Sequence, residues 1–258
     1  MEDFIIFAFV GFLAQAVDGA LGMAYGVISS TVLLSFGVPP AMASASVHAA
    51  EVFTTAASAG SHAVNRNVNW KLFVPLALGG SVGGALGAFV LTSIDGAVLK
   101  PYIVIYLGLM ATLILYRAWR TRPSRAFSPR TSVPLGLVGG FLDAVGGGGW
   151  GPTVTSTMVG AGADPRSSVG TANTAEFFVT STISATFLAA ILTGHWAEAG
   201  GFVNHASSVV GLIVGGLLAA PLAGGIVRIA PARVLTIAVG VLVLLLTGYQ
   251  AARLFGVL

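Results

Sequence analysis

Long apolar segments separated by short polar stretches cover almost the whole chain. They lie at residues 4–36, 40–62, 71–93, 97–119, 133–160, 166–193, 202–227 and 231–252. Most of them reach the roughly 20 apolar residues that a helix needs to cross a bilayer, and none shows the regular alternation of outer-membrane barrel strands. The pattern predicts an all-α polytopic membrane protein with no separate soluble domain.

The composition agrees with a membrane location. Charged residues make up 8% of the 258 residues, against about 25% in a soluble domain. Cysteine is absent, and this excludes disulfides, thiol catalysis and cysteine metal sites. Five arginines are clustered within residues 117–130. In a membrane protein we interpret this cluster as the sign of a cytoplasmic linker and not as a nucleic-acid site.

The two halves of the chain resemble each other when one is shifted by 125 residues. Asp18 then falls on Asp143, and Glu51 falls on Glu176. The same alignment pairs Gly11 with Gly136, Gly22 with Gly147, Gly26 with Gly151, Gly37 with Gly162, Pro40 with Pro165 and Phe53 with Phe178. Repeats of this size are a known plan for secondary transporters. They predict a transmembrane repeat at residues 1–120, a polar cytoplasmic linker at 121–131 and a second repeat at 132–258.

The first apolar segment of each half is interrupted near its middle. As one helix, residues 4–36 would be about 50 Å long, whereas the hydrocarbon core of a bilayer is about 30 Å thick. Asp18 and Gly22 interrupt this segment, and Asp143 and the glycines at 146–149 interrupt its counterpart. Each segment therefore either crosses the membrane as a broken helix or enters it and returns as a re-entrant hairpin.

The positive charges favour the hairpin. If both segments cross, the twelve lysines and arginines divide eight to four between the two sides, whereas two hairpins divide them ten to two. Cytoplasmic loops carry the excess of positive charge. We therefore expect two inverted repeats, each a re-entrant or broken helical hairpin plus three transmembrane helices. An ordinary bundle of eight crossings with kinked first helices remains the alternative.

The stretch "DAVGGGGWGP" at 143–152 places a charge and four glycines inside an apolar segment. Glycines allow a sharp turn, and the half-helix that follows begins with N–H groups that have no helical partner and attract anions. Two such hairpins would point two helix N-termini at one central site. The alternative is that the small residues only allow close helix packing.

Four acidic residues lie deep in apolar segments: Asp18, Glu51, Asp143 and Glu176. Such residues normally face the protein interior or a transport pathway. They act either in coupling or as structural acids that fix the hairpins by hydrogen bonds, and the sequence leaves both roles open. The residues that we expect to bind substrate are Gly22, Tyr25, Ser46, His48, Gly146, Gly147, Gly148, Gly149, Trp150, Thr171 and Asn173.

Two stretches, "GFLAQAVDGALGMAYGV" and "GLVGGFLDAVGGGGWGP", resemble the signature of the TauE/SafE sulfite exporter family. Each is followed about fifteen residues later by a proline and a Ser/Thr-rich helix. In the first copy, Leu21, Met23 and Ala24 occupy positions that are glycine in the second. The resemblance implies transport of small sulfur-containing anions such as sulfite or organosulfonates.

We therefore expect a secondary transporter that moves such an anion by alternating access at a midplane site between the repeats. We place it in the bacterial cytoplasmic (inner) membrane, with protons as the coupling ion. A passive anion channel and an intramembrane enzyme are the alternatives, although the sequence contains no HExxH or Walker A motif. We expect no catalytic residue, metal, cofactor or nucleic-acid partner, and the oligomeric state stays open.

Overall fold

The computed structural model describes residues 2–119, 127–196, 200, 206–220 and 232–257. Within these ranges the regular elements are all helices. They are α1 (Glu2–Leu21), α2 (Tyr25–Ser35), α3 (Pro40–Val64), α4 (Trp70–Ser93), α5 (Gly96–Arg117), α6 (Pro129–Gly146), α7 (Ser156–Gly160, which continues a π-helical turn at Gly151–Thr155), α8 (Pro165–Leu192), α9 (Ala206–Ala219) and α10 (Ala232–Leu254).

Four of the described helices are long and apolar enough to cross a membrane: α4, α5, α8 and the Arg233–Leu254 part of α10. Helix α3 spans 25 residues but is more polar, because it lies inside the bundle and buries side chains such as Ser44, His48 and Glu51. Large apolar side chains instead cover the outside of the bundle, among them Phe9, Leu78, Ile105, Leu188 and Leu245. This distribution is typical of a protein that is surrounded by lipid.

Both interrupted segments break where the sequence predicts. Helix α1 ends at Leu21, and α6 ends at Gly146. Helix α6 begins at Pro129. The Ser128 side chain accepts a hydrogen bond from the N–H of Arg130 and so caps the helix start. Residues 121–126 of the predicted linker, which include Arg122 and Arg125, lie outside the described residues.

The chain reverses direction between α1 and α2. The rings of Phe7, near the start of α1, and Phe36, just after α2, lie 5.6 Å apart between centroids. A straight helix would separate these two residues by about 40 Å. The turn between the helices contains Gly22, whose φ of +65° is one that residues with a side chain rarely adopt. These contacts fit the hairpin alternative better than the broken crossing.

Helices α4 and α6 run parallel in close contact. Gly79 faces the backbone of Val133, and Gly87 faces the backbone of Phe141, two turns further along both helices. Small residues allow this approach of two backbones. The same packing joins α9 to α1, where Gly211 contacts Phe4. The packing explanation for these glycine-rich helices therefore agrees with the structure.

Helices α4 and α8 also run parallel. The backbone N–H of Asn69 donates to Oγ1 of Thr171 over 2.9 Å at their starts, and the Ser93 hydroxyl lies 2.8 Å from Nε2 of His195 beyond their ends. Helices α6 and α8 therefore both begin at the end of the bundle where α4 begins. The chain between the start of α6 and the start of α8 therefore leaves this end of the bundle and returns to it. Helices α1 and α2 leave the opposite end and return to it in the same way.

Positive charge is concentrated at one end of the bundle. The guanidinium of Arg233 lies 4.2 Å from the centroid of the Trp119 ring, so the end of α5 meets the start of α10. The cationic end, at which α4, α6, α8 and α10 begin and α5 ends, carries Arg66, Lys71, Arg117, Arg130, Arg166 and Arg233. Lys100 and Arg253 lie towards the opposite end. Arg120, Arg122, Arg125 and Arg228 lie outside the described residues.

Candidate functional site

Two aspartates fix the two turns by the same hydrogen bonds. Oδ1 of Asp18 accepts from the backbone N–H groups of Ala24 and Tyr25 over 2.7 and 3.2 Å. Oδ1 of Asp143 accepts from those of Gly149 and Trp150 over 2.7 and 2.9 Å. Each carboxylate thus caps the start of the helix that follows its turn.

These bonds change the role expected for the glycine stretch. We expected the N–H groups of Gly149 and Trp150 to face a substrate anion, but they donate to the carboxylate of Asp143. An anion at this helix start would therefore compete with the chain's own carboxylate. The hydrogen bonds agree with the alternative in which the aspartates fix the hairpins.

The two turns pack directly against each other. A Cβ atom on Gly26 would lie 2.7 Å from Cα of Gly148, and one on Gly151 would collide with Cα of Met23. Gly147 and Gly148 have φ angles of +69° and +147°, which side chains disfavour. The glycines are needed here both for the turn and for the contact between the two turns.

His48 links α3 to the second turn. Its side chain is fully buried, and Nε2 lies 3.3 Å from Oδ2 of Asp143 and 4.0 Å from Oε2 of Glu51. Nδ1 lies 2.8 Å from the carbonyl oxygen of Ser44. The Ser44 hydroxyl in turn donates to the carbonyl of Ala144 over 2.5 Å, which ties this part of α3 to α6.

A small cavity lies where the turns meet α3 and α8. All four buried acids line it, together with Met23, Ala24, Tyr25, Gly26, Val27, Gly149, Gly151 and Pro152. Its volume is about 10 Å³, which holds one water molecule at most. An oxyanion with four or more heavy atoms does not fit into the cavity in this conformation.

The cavity contains much negative and little positive charge. Among the described residues, the ion-pair contacts of its acids within 4.0 Å involve only His48. Oε2 of Glu51 is buried and accepts no hydrogen bond from the described part of the chain. Buried carboxylates are stable only when paired or neutralised. The cluster therefore requires bound positive charge.

A larger cavity opens beside the small one. It has a volume of about 590 Å³ and is lined by Met23, Leu113, Tyr116, Arg117, Ser156, Thr157, Val159, Gly160, Ala161, Gly162, Ala163, Pro165 and Thr236. We call it the vestibule. Arg117 and Pro165 place it towards the cationic end of the bundle. Met23 is the residue that the linings of the vestibule and the central cavity share.

The other residues expected to bind substrate lie around the cavity and not in its lining. Nδ2 of Asn173 donates to the Ser58 hydroxyl over 3.1 Å, and Thr171 accepts from α4 near the cationic end. Ser46 is buried, and its hydroxyl has no hydrogen-bond partner within the described ranges. Nε1 of Trp150 donates to the carbonyl of Ala172 over 3.0 Å. Gly22, His48, Gly146, Gly147 and Gly148 also lie outside the lining.

Sequence reasoning missed several residues of the lining. Gly26 and Gly151 had been paired in the repeat alignment, and this pairing was a signal that could have identified them. Met23 carried no such signal, because its counterpart in the second half is Gly148. The spacing of His48 and Glu51 predicts one shared helix face, but no sequence signal placed Asp143 beside them. The fold brings His48, Glu51 and Asp143 together, with one atom of each within 4.8 Å of the others.

Comparisons with known proteins agree with these observations. The family described as "Sulfite exporter TauE/SafE" matches residues 7–250. A relative from Bacillus subtilis (strain 168), named "Probable membrane transporter protein YtnM", is 43% identical over 235 residues, which cover 88% of this chain and 76% of the relative. No solved structure matches the chain. With apolar helices around a buried acidic cluster and a match along nearly its whole length, this integral membrane protein belongs to the TauE/SafE family of membrane transporters.

Proposed function

We propose that the protein is a secondary transporter for a small sulfur-containing anion, such as sulfite or an organosulfonate. The observation that carries the proposal is the small cavity at the meeting point of the two turns, which is lined by four buried acids and shares Met23 with a larger vestibule. A small central site approached by a vestibule suits a carrier, which never opens to both sides at once.

Repeated contacts support a fold of two inverted repeats. Asp18 and Asp143, which lie 125 positions apart, cap equivalent helix starts. Helix α4 packs on α6, and α9 packs on α1, so corresponding helices of the two halves exchange partners. In alternating access, such paired elements exchange their conformations around a fixed site. The segments 1–120 and 132–258 would then be the two repeats.

The vestibule provides the route to the site. Its Arg117 side chain and the surrounding positive charge attract anions, and the hydroxyl groups of Ser156 and Thr157 offer hydrogen bonds along the wall. By the positive-inside rule, the cationic end faces the cytoplasm of a bacterial inner membrane. The conformation described here would be open to the cytoplasm and closed at Met23.

Protons are the coupling ion that the site favours. Glu51 and Glu176 line the cavity from α3 and α8, and their ionised forms would repel an anion by several kcal/mol in a poorly solvated site. A proton taken up together with the anion removes that repulsion. Release of the anion then releases the proton, and the two fluxes are coupled.

Flux into proteoliposomes tests the proposal. The purified protein is reconstituted, and uptake of labelled sulfite, sulfate, thiosulfate and a small sulfonate is measured with and without a pH gradient, with protein-free liposomes as the control. We expect saturable uptake of a sulfur anion and its accumulation against its own gradient when the outside is acidic. Flux that only dissipates the anion's own gradient would indicate a channel, and absence of flux for all four anions would overturn the proposal.

A further inference from the structure

The two halves of the site differ at one position that bears on proton binding. His48 lies on α3 and faces Asp143 of the other half. The residue 125 positions later is Asn173, which donates to Ser58 and cannot titrate. Asp18, the counterpart of Asp143, forms no ion pair with a histidine within the described part of the chain. The basic side chain is present at only one of the two equivalent positions.

The hydrogen bonds of His48 require a proton between its ring and Asp143. The Ser44 carbonyl, 2.8 Å from Nδ1, can only accept a hydrogen bond, so Nδ1 carries a hydrogen. In a neutral ring, Nε2 is then an acceptor that faces Oδ2 of Asp143 at 3.3 Å. An ionised carboxylate is also only an acceptor. The contact becomes a hydrogen bond only if one further proton is bound, either on Nε2 or on Oδ2.

We propose that His48 and Asp143 form the site that binds the transported proton, with Glu51 as the group that exchanges it with the central cavity. This inference rests on the proposed proton-coupled transport. In the exchange, the bond between the proton and Nε2 breaks as a bond to Oε2 of Glu51 forms. Oε2 lies 4.0 Å from Nε2 and accepts no other hydrogen bond among the described residues, so it is available as the acceptor after a small movement.

The position of Asp143 connects the proton to the hairpin. While Oδ2 faces His48, Oδ1 of the same carboxylate accepts from the N–H groups of Gly149 and Trp150. Loss of the proton would leave two acceptors facing each other and would push the carboxylate away from the ring. The second turn would move with it, because the two N–H groups hold the other oxygen. Proton release and movement of the turn are therefore linked.

Other titratable groups lie near the pair. They are Glu51 on α3, Asp18 on α1, Tyr25 on α2 and Glu176 on α8, which line the same cavity as Asp143, and Tyr106 on α5. Among them, Glu51 and Glu176 act on the pair by charge when ionised. The described part of α9, which also packs on α3, contributes no titratable side chain. The bound proton makes the His48–Asp143 pair neutral overall, so it removes one negative charge from the cluster when the anion binds.

The variant His48→Asn tests the site, because it copies the residue found at the equivalent position of the other half. With one proton per monovalent anion, a difference of one pH unit supports about a tenfold accumulation. We expect this accumulation in the wild type and its loss in His48→Asn, which retains exchange of internal for external anion because exchange needs no net proton movement. The matched variant His62→Asn makes the same change at a histidine of α3 that lies outside the cluster, near Asn67, and should keep the proton-driven accumulation.

Unchanged proton-driven accumulation in folded His48→Asn would overturn the inference while leaving the transport function intact. Accumulation driven by a sodium gradient without a pH difference would also overturn it, since the cluster would then take a metal cation. If the wild type moves no anion, the proposed function itself fails. The three results are distinguishable in the same assay.

Nitrogen NMR of the histidine rings gives a readout that does not depend on transport. The chain contains four histidines, so the His48 signals can be assigned by its substitution. In labelled protein in nanodiscs, we expect Asp143→Asn to change the pH dependence of these signals and Asp18→Asn to leave it unchanged. Asparagine keeps an oxygen that can accept the two capping hydrogen bonds. An equal change of the pH dependence in both variants would contradict a specific proton-binding pair of His48 and Asp143.

Discussion

The hydroxyl of Ser156 donates a hydrogen bond to the sulfur of Met23 over 3.8 Å. Met23 lines both the vestibule and the central cavity, and we expect this contact to close the passage between them. Methionine is unbranched and has several rotatable bonds, so a change of rotamer can open the passage without moving a helix. Met23 belongs to the first half of the chain and Ser156 to the second, so this hydrogen bond depends on the relative position of the two halves.

Replacement of Met23 by alanine should remove the barrier. We expect Met23→Ala to raise the rate of anion exchange severalfold and to reduce gradient-driven accumulation, because a site that cannot close on one side leaks. Met23→Phe should slow exchange for the opposite reason. Both rates are measured in proteoliposomes. The control is Met110→Ala, since Met110 also contacts a hydroxyl, that of Thr153, but lines neither cavity. Equal effects of the two alanine variants would argue against a gate.

The glycines of the second turn should tolerate no side chain. A Cβ on Gly148 would collide with the backbone of Gly26, and its φ of +147° disfavours any other residue. Gly148→Val should therefore abolish transport. In Gly84→Val the added atoms meet the side chain of Ile183 at 2.6 Å, and overpacking of this kind lowers stability by about 1–3 kcal/mol. We expect this variant to melt earlier and to transport. Normal transport by a folded Gly148→Val protein would remove the turn from the mechanism.

The capping aspartates should contribute to stability through their hydrogen bonds. Asp143→Ala and Asp18→Ala each remove an acceptor for two backbone N–H groups, and loss of a helix cap costs about 0.5–2 kcal/mol. We expect both to lower the melting temperature in detergent, and Asp143→Asn to restore it because the amide oxygen still accepts. Asp95→Ala is a reference, since it removes the cap of an exposed helix start. A melting temperature unchanged by either buried substitution would show that the caps are dispensable.

The glutamates should determine the pH dependence of transport. If Glu51 or Glu176 takes up a proton with the anion, glutamine mimics the protonated acid. The variants Glu51→Gln and Glu176→Gln should then bind anion, while the increase of uptake at acidic external pH is lost. Initial uptake rates are measured across a pH series, with binding followed by thermal shift. Unchanged pH profiles in both variants would eliminate these side chains as coupling groups.

Single cysteines can test the orientation, because the chain has none of its own. Cysteines at Asn67, Ser124 and Ala230 should all label from the cytoplasmic side with an impermeant thiol reagent, whereas one at Val257 should label from outside. Asn67 lies at the cationic end and Val257 at the opposite one, and the other two lie outside the described residues. Labelling of the Ala230 site from the side opposite to Asn67 would contradict the hairpin topology.

Local sequence features were sufficient to predict the class of protein and the positions at which its first helix and its sixth helix end. The interruptions at Asp18 and Asp143 could be predicted because glycine and charge disfavour an apolar helix wherever they occur. The family also followed from the sequence, since its signature is a local pattern. The positive-inside rule placed Lys71 and Arg166 at the same end of the bundle, although they lie far apart in the sequence. This was possible because the side on which a residue lies depends only on the number of membrane crossings that precede it.

The contacts of the site depended on the tertiary structure. No local pattern shows that His48 meets Asp143, that Met23 lines two cavities, or that the carboxylates occupy the N–H groups expected to face an anion. The contact between His48 and Asp143 joins residues about a hundred positions apart, and it follows from how α3 and α6 cross. The sequence by itself determined a TauE/SafE membrane protein of two similar halves, because composition and periodicity are local. Only the packing of those halves decided which buried groups lie beside one another and which residues line the two cavities.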